Sequence, residues 1–398
     1  MSDLGDRERA DAPARPTGPA RPPVHVVGRF PPPTDGQTLA TALAADLLEG
    51  THDVRRHDTQ PASGDALGRA EGLDLGRALF FLRRRRSLKA ALAEAPAAPV
   101  LWHSISPAPL GHARDVLATV PAFAPRQPVV AVLHRSGFGD LFGSPLTAPS
   151  ARRLVERVDR FVIQSESLAQ ACAPHVPREK VALIPNTLDA AVLPAPDAVD
   201  AAREARLARR GAEPFRLLFL SHLLPTKGYR DVLDAVPILR ERGVEVRADF
   251  VGGWDADADR RAAEQFVRAR GLHDAARFHG VVEDRARARA LFLGADALAL
   301  PTYYPPETQP KAILEALAAG TPVVVTRHAS IPEMVRAGRE ARFVPARSPS
   351  AVADAVASLA DPAAWRAASV DARARFDAAF APAAVRDRWL ALLSEIAP

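Results

Sequence analysis

The sequence predicts an α/β protein built from two doubly wound units, each a parallel β-sheet covered by helices. From residue 24 onward, short apolar runs alternate with segments of helical periodicity. The apolar runs are continuous, which is typical of strands buried on both faces of a parallel sheet. The alternation breaks off near residue 190 and begins again after residue 214, so we expect two such units with their strand ends facing a common cleft.

The first unit is predicted over residues 24–205. It follows residues 1–23, which carry five prolines and almost no large apolar side chain, a composition typical of disorder. The polar sequence HDVRRH predicts a weaker strand than its neighbours. The predicted strands are VHVV, HDVRRH, APVLWHS, VVAVLH, RFVIQS and VALIP, and the predicted helices are DGQTLATALAADLLE, DLGRALFFLRRRRSLKAALAEA and SLAQACAPH.

The second unit is predicted over residues 206–380, after a connection that extends from Asp189 to Pro214. The last fifty residues are predicted to be helical, and residues 381–398 form a separate C-terminal helix. The predicted strands are FRLLFLS, VRADFVGG, ARFHG, ALALP and PVVV, and the predicted helices are YRDVLDAVPILRERG, ADRRAAEQFVRARG and DRARARALFLGA.

Composition excludes several classes of protein. The single cysteine, Cys172, excludes an intramolecular disulfide and a multi-cysteine zinc site. The chain has no apolar run long enough for a membrane-spanning helix, and its first residues lack the apolar core of a secretory signal, so we expect a cytoplasmic protein. A net charge of +5 favours anionic partners, but no nucleic-acid-binding module is present, and no nucleic acid is expected as a partner.

The stretch PPETQPKAILEALAAGTPVVV, which begins at residue 305, carries the main functional prediction. It predicts a helix with Pro310 at its first position and Gly320 just past its last. The unpaired N–H groups of the first turn can bind a diphosphate. A carboxylate at Glu315 can accept two hydrogen bonds from a ribose diol, while Glu307 faces whatever lies beyond the phosphates. Together these groups indicate a nucleotide-sugar site.

Each glutamate also has a simpler interpretation. Glu315 lies four residues after Lys311 and would then be half of an exposed helix ion pair. Glu307 would be a solvated loop acid. The flanking strands and the helix bounds favour the functional interpretation.

Four further positions follow predicted strands and are candidate site residues. His134 ends VVAVLH and can donate to a sugar hydroxyl or stabilise charge near the leaving phosphate, the alternative being a structural histidine. Lys227 can reach a diphosphate as a point charge, the alternative being a solvated lysine, and His222 lies at the neighbouring strand end. Gly36 allows close approach of backbone to a ligand, or is simply a turn residue.

Three weaker signals remain. Asp140, in the glycine-rich loop after His134, is a candidate for orienting an acceptor hydroxyl. The aspartates of DADAD, residues 255–259, are better explained as helix-start residues than as metal ligands, because the spacing does not match a calcium loop. The basic run Arg83–Arg86 follows LFFL and indicates either a peripheral membrane contact or a solvated helix face.

With these segments in place, the chain resembles the retaining glycosyltransferases of the GT-B fold, in the large family 4 type that includes sucrose synthases and mannosyltransferases. The resemblance covers nearly all of residues 24–398 and is most specific in LPTKG, HGVVEDRARARALFLGADALALPT, the Glu-seven-residue-Glu motif and IPEMV. It implies transfer of a hexosyl unit from a nucleoside diphosphate sugar to a hydroxyl acceptor, without a metal or other cofactor. It also implies that the C-terminal helix returns to the first domain.

The resemblance assigns roles to individual residues. It implies that Glu315 binds the ribose hydroxyls, that Glu307 and His134 contact the donor sugar, and that Lys227 neutralises the leaving group. The remaining donor-binding positions are the diphosphate contacts Thr308, Gln309, Pro310 and Gly36, and the base-flanking Gly280 and Val281 of HGVV.

This sequence departs from the family pattern at two places. His222 stands where the family usually has an arginine, and Ala329-Ser330 stand where it often has two glycines. These departures leave open a non-catalytic binding scaffold, and the same scaffold also allows a sugar-nucleotide epimerase. The acceptor is expected to be a polysaccharide, a glycolipid or a natural product.

Overall fold

The computed structural model describes residues 21–32, 36–60, 75–134, 137–190 and 192–396, with the side chains of residues 75–81 outside that description. Residues 1–20 of the predicted disordered segment, and residues 33–35 of the turn before Gly36, therefore lie outside the described part of the chain. The described residues form two six-stranded sheets and the helices that cover them. The prediction of two doubly wound α/β units is confirmed.

The first sheet is entirely parallel and has the spatial order β2-β1-β3-β4-β5-β6. The winding direction reverses between β1 and β3, which defines the switch point of this sheet. β2 lies at the edge and is only half-buried, in agreement with its polar sequence. The strands are β1 Pro23–Gly28, β2 Asp53–Asp58, β3 Val100–Trp102, β4 Val129–Val132, β5 Arg160–Ile163 and β6 Val181–Leu183.

The second sheet is also parallel and has the order β9-β8-β7-β10-β11-β12, with its switch point between β7 and β10. The edge strand β12, with the sequence ARFV, was not predicted. The strands are β7 Phe215–Leu220, β8 Val246–Val251, β9 Ala276–Phe278, β10 Ala297–Leu300, β11 Val323–Thr326 and β12 Ala341–Val344.

Helices connect the strands and cover both sheets. They are α1 Gly36–Leu48, α2 Leu75–Leu92, α3 Pro109–Arg114, α4 Asp140–Gly143, α5 Ala148–Arg157, α6 Glu166–Cys172, α7 Pro196–Ala208, α8 Tyr229–Glu241, α9 Asp257–Ala269, α10 Arg285–Gly294, α11 Lys311–Ala318, α12 Ile331–Met334, α13 Pro349–Ala357, α14 Pro362–Ala379 and α15 Pro382–Ile396. None of the helices within the described ranges has the length and apolar character needed to cross a bilayer.

Two glycines allow the strand ends of the second domain to approach closely. Gly228 has φ +85°, and a Cβ atom there would lie 2.5 Å from the carbonyl oxygen of Pro301. Gly252 has φ +146°, and its Cβ would lie 1.9 Å from the carbonyl oxygen of Ser221. Both distances are far below van der Waals contact, so only glycine fits at these positions. The loops after β7, β8 and β10 are thereby packed together at the switch point.

Helix α11 ends where the sequence predicted, in a left-handed glycine cap. Gly320 has φ +61°. Its N–H donates to the carbonyl of Leu317 over 3.0 Å, and the N–H of Thr321 donates to that of Ala316 over 2.8 Å. This pair of bonds is the Schellman motif, which satisfies carbonyls that the helix end leaves free. The strand β11 can therefore begin two residues later.

The connection between the domains contains a helix that the sequence pattern did not predict. Helix α7 occupies half of the stretch from Asp189 to Pro214 and packs against the second domain. Its Arg206 is 1% exposed and donates to the carbonyls of Ala295 and Ala319 over 2.9 and 3.1 Å. Burial lowers the pKa of Arg206 to about 9, so it stays charged at neutral pH. The alanine- and arginine-rich segment is thus held by a buried guanidinium in addition to the buried side chain of Val199.

The C-terminal helix α15 packs on the first domain. Val385, Trp389 and Leu393 are buried in the same apolar cluster as Val24 and Val26 of β1. Helix α15 thus returns from the second domain to the first.

Candidate active site

The carboxyl ends of both sheets face one interdomain cleft, which contains two adjoining cavities. The larger cavity has a volume of about 690 Å³ and the smaller about 370 Å³. Each is lined by residues of both domains. The residues shared by the two linings are Leu220, Ser221, His222, Lys311 and Glu315. Because ligands of doubly wound folds bind at such switch points, this cleft is the candidate active site.

Helix α11 begins at the larger cavity, one residue later than predicted. Pro310 is the N-cap, with φ −60° and ψ 118°, and Lys311 is the first helical residue. The amide donors of the first turn therefore belong to Lys311 and Ala312, and both residues line the larger cavity. Thr308, Gln309 and Pro310 line it as well. The helix end thus places amide groups and the positive end of its dipole at the cavity.

A buried ion pair lines the larger cavity. Lys227 Nζ donates to Glu307 Oε2 over 2.6 Å, and the hydroxyl of Thr302 donates to the same oxygen over 3.2 Å. Nζ also lies 4.4 Å from the centre of the Tyr304 ring. The two charged side chains are only 13% and 9% exposed. The sequence predicted separate contacts for Lys227 and Glu307, whereas the structure joins them directly.

Glu315 lies one turn into α11 and lines both cavities. Its side chain is half-buried, so it does not belong to an exposed helix face. Burial raises the pKa of Glu315 to about 7, although the cations of Lys311 and Arg285 act in the opposite direction. A carboxyl group that titrates near neutral pH in a cleft is typical of a functional site.

His134 lies two residues after the end of β4 and lines the larger cavity. Its Nε2 lies 3.2 Å from Nδ1 of His103, which is fully buried. Burial, together with the Lys311 cation, lowers the pKa of His134 to about 4. The imidazole is therefore neutral at pH 7 and can exchange hydrogen bonds, but it does not supply a positive charge.

The loop before α11 is fixed by contacts that the sequence did not predict. The hydroxyl of Ser330 donates to the carbonyl of Thr308. The side-chain oxygen of Gln309 accepts from the backbone N–H of Asn186 in the first domain over 2.6 Å. Ser330 occupies one of the two positions where the family often has glycine, so this departure adds support to the loop.

Of the two residues predicted to flank a base, Val281 lines the smaller cavity and Gly280 does not. Val281 is 65% exposed and lines this cavity, where it presents an apolar surface. The carbonyl of the preceding Gly280, which has φ +69°, accepts from the N–H of Gly252 over 2.9 Å. His222 is exposed and lines both cavities.

Two predictions in the first domain have different outcomes. Gly36 lines the larger cavity from the opposite side of the cleft, and its carbonyl accepts from Lys311 Nζ over 3.5 Å. Asp140 lines neither of the two cavities; it is exposed at the first residue of α4, where a carboxylate interacts favourably with the helix dipole. The structure therefore brings Gly36, but not Asp140, to the other predicted residues.

Sequence analysis missed five polar residues that line the larger cavity: Arg29, Gln37, Asn186, Ser221 and Lys311. Arg29 immediately follows β1, so its position at a strand end was a usable signal. Lys311 was considered only as an ion-pair partner of Glu315. Asn186 directly follows the predicted strand VALIP and so offered the same signal, whereas Gln37 and Ser221 lie within the predicted helix DGQTLATALAADLLE and the predicted strand FRLLFLS.

Within the described ranges, no three His, Cys, Asp or Glu side chains are grouped to hold a metal ion. Asp257 and Asp259 of DADAD lie in the first turn of α9, and Asp259 forms an ion pair with Arg230. These aspartates are helix-start residues, as the simpler interpretation expected.

Comparison with known sequences identifies the family in both halves of the chain. The model described as Glycosyltransferase Family 4 matches residues 24–192, and the model described as Glycosyl transferases group 1 matches residues 214–361. The glycogen synthase of Mycobacterium tuberculosis is 31% identical over 68% of this chain, and the match spans 64% of its own length. The phosphatidyl-myo-inositol mannosyltransferase of Mycobacterium leprae is 33% identical over 43% of this chain and 42% of its own.

Solved structures of similar fold cover almost the whole chain. HepE of Anabaena in complex with UDP has a TM-score of 0.68 at 18% identity, over 94% of this chain and 100% of its own. The sucrose-phosphate synthase of Thermosynechococcus elongatus has a TM-score of 0.66 at 18% identity, over 94% of this chain and 99% of its own. The fold is GT-B, with two Rossmann-like domains that face a central cleft. The chain belongs to the GT-B glycosyltransferases of the family 4 type.

Proposed function

We propose that this protein transfers a hexosyl group from a nucleoside diphosphate sugar to a hydroxyl acceptor, with retention of anomeric configuration. One observation carries the proposal: the start of α11, the Lys227–Glu307 pair and Glu315 all line one continuous cleft between the domains. A diphosphate requires amide donors and a cation, and the hydroxyl groups of a ribose and of a sugar each require a carboxylate. The cleft offers all of these groups. Crystal structures of the similarly folded HepE contain UDP or UDP-glucose.

In this proposal the donor lies along the cleft from the smaller to the larger cavity. The base lies against Val281 and the ribose diol donates to Glu315. The diphosphate accepts from the amides of Lys311 and Ala312, at the positive end of α11. The sugar then lies between Glu307 and His134 in the larger cavity.

The chemistry follows from this placement. The bond between the anomeric carbon and the diphosphate oxygen breaks, and its electron pair remains on that oxygen. Lys227 and the amides of α11 stabilise the charge that develops there. The acceptor oxygen bonds to the anomeric carbon on the same face, and its proton leaves with the diphosphate. We propose that these protein groups supply the positive charge without a divalent metal.

The direct contact between Lys227 and Glu307 determines how the site should be tested. Removing one partner alone leaves the other as an unpaired buried charge, which costs about 3–5 kcal/mol and can unfold the protein. The double variant Lys227→Met/Glu307→Gln keeps the pair neutral. We expect it to fold, to bind nucleoside diphosphate more weakly, and to transfer sugar at least about 100-fold more slowly, because both charge stabilisation and sugar contact are lost.

The assay is release of nucleoside diphosphate from UDP-, GDP- and ADP-sugars, with and without a hydroxyl acceptor. Glu204→Gln is the matched control, because Glu204 forms an exposed ion pair with Arg366 on the second domain. Transfer that survives the double substitution would contradict the proposal. Epimerised donor without an acceptor would favour the epimerase. Nucleotide binding without turnover would favour the non-catalytic scaffold, which the exposed His222 at the family's arginine position also favours.

We further propose that the protein acts on the cytoplasmic side of a membrane, which α2 contacts. Leu82 is 51% exposed, and Arg83, Arg86 and Lys89 on the same helix are exposed too. An apolar side chain next to cations is suited to an anionic lipid surface. We expect co-sedimentation with phosphatidylglycerol vesicles but not with phosphatidylcholine vesicles. Equal sedimentation of an Arg83→Ala/Arg86→Ala/Lys89→Ala variant would contradict this proposal.

A further inference from the structure

Directly behind His134 lies a second histidine that no sequence motif singled out. His103 follows β3, is 1% exposed, and places Nδ1 3.2 Å from His134 Nε2. Its ring stacks on Trp389 of α15, with ring centres 6.0 Å apart. Its carbonyl accepts from the side-chain amide of Gln37 over 2.9 Å. His103 is thus held by two neighbours while its ring contacts a residue of the cleft.

The surroundings of His103 decide which ring donates the shared hydrogen bond. Within the described part of the chain, His103 Nε2 is buried and has no hydrogen-bond partner. Gln164 Oε1 lines the same small cavity of about 40 Å³ as His103, but it makes no direct hydrogen bond to His103 Nε2. If His134 donated, His103 would carry its proton on Nε2, as a buried N–H that no protein acceptor meets in hydrogen-bond geometry. If His103 donates, its Nε2 carries no proton and keeps a lone pair that accepts no hydrogen bond. A buried N–H without an acceptor is rarer than a buried acceptor without a donor.

Both rings are neutral at pH 7, so each carries one ring proton. Burial lowers the pKa of His103 well below its usual value, and the neighbouring His134 acts in the same direction. Burial and the Lys311 cation lower the pKa of His134. The direction of the shared hydrogen bond therefore fixes the tautomers of both rings.

We propose that His103 is a positioning residue that donates its Nδ1–H to His134 Nε2, so that His134 presents Nδ1–H to the larger cavity. His134 then acts as a hydrogen-bond donor to a hydroxyl oxygen of the bound sugar, a role that rests on the proposed function. His103 itself does not reach the sugar. The stacking on Trp389 makes α15 part of the support for this donor, because it fixes the ring of His103.

Two substitutions separate hydrogen bonding from packing. His103→Phe keeps an aromatic ring against Trp389 but removes the donor. His103→Asn places an amide N–H near the position of Nδ1. We expect His103→Phe to lower kcat/KM for the sugar nucleotide about tenfold, the usual effect of one lost hydrogen bond, with nucleoside diphosphate affinity unchanged. We expect His103→Asn to recover most of that loss.

His25→Phe is the matched control. His25 is 0% exposed and its Nδ1 lies 2.9 Å from Nε2 of His57, but it lines neither cavity of the cleft. It reports what the loss of a buried histidine pair does to stability and activity in general. A loss of kcat/KM in His25→Phe equal to that in His103→Phe would overturn the positioning role.

The tautomer is measured without substrate, by long-range ¹H–¹⁵N spectra of the full chain labelled on histidine, with His134→Gln used to assign the signals. We expect His134 to carry its proton on Nδ1, and expect this tautomer to lose its dominance in His103→Phe. A proton on His134 Nε2 in the unsubstituted protein, or an unchanged tautomer in His103→Phe, would overturn the inference. Absence of sugar transfer would instead contradict the proposed function and leave the spectra to decide the tautomer.

Discussion

Glu315→Gln is expected to stabilise the free protein at neutral pH while it weakens donor binding. Burial raises the pKa of Glu315 from 4.5 to about 7 in the folded state. The folded state therefore holds this proton more tightly than the unfolded state, and the free energy of unfolding decreases as pH rises from 4.5 towards 7. At about 1.4 kcal/mol per pKa unit, the gap between 4.5 and about 7 corresponds to about 3 kcal/mol.

Glutamine carries no ionisable proton, so the free energy of unfolding of the variant does not decrease in this way as pH rises. Most of the difference, about 2 kcal/mol, should develop between about pH 5 and pH 7, with little further change above that range. Equilibrium unfolding in urea at several pH values from about 5 to about 8 measures it directly. Glu204→Gln removes an exposed carboxylate on the same domain. Its free energy of unfolding should change with pH in the same way as that of the unsubstituted protein.

Donor binding should change in the opposite direction. A carboxylate can accept both hydrogen bonds of a ribose diol, whereas the amide offers one oxygen. The loss should weaken nucleoside diphosphate affinity by about tenfold to 100-fold, as measured by calorimetric titration. If the free energy of unfolding changed with pH in the same way for Glu315→Gln and for the unsubstituted protein, burial would not raise the pKa of this carboxyl. Unchanged affinity would refute its contact with the ribose.

Two further predictions concern the IPEMV region. Ala329 has φ +48°, where a side chain is strained, so Ala329→Gly should raise the free energy of unfolding by about 0.5–1 kcal/mol in urea titrations; destabilisation would contradict the left-handed conformation. Glu333 accepts from the N–H groups of Glu166 and Ser167 over 2.6 and 2.8 Å across the cleft, so Glu333→Ala should favour the open cleft. Small-angle scattering should then show a larger radius of gyration, and an unchanged radius would contradict this role.

Local pattern was sufficient to predict most of the fold. Five of the six strands of the second domain were predicted, and β7, β10 and β11 stand out as largely apolar runs. The bounds of α11 were predicted to within one residue from Pro310 and Gly320. Helix α7 was missed because two of its three buried residues are arginines, and the burial of Arg206 depends on carbonyls far along the chain.

The sequence by itself determined the fold class, the helix that ends at the cleft, and the spacing that places Glu307 and Glu315 around its start. Only the tertiary structure decided that Lys227 contacts Glu307, that Gly36 faces the cleft while Asp140 does not, and that His103 lies behind His134. Periodicity and end-capping are local properties that a few neighbouring residues fix. Contacts between loops depend on which strand ends are adjacent in each sheet and on how two sheets face each other, and no short segment of sequence encodes that arrangement.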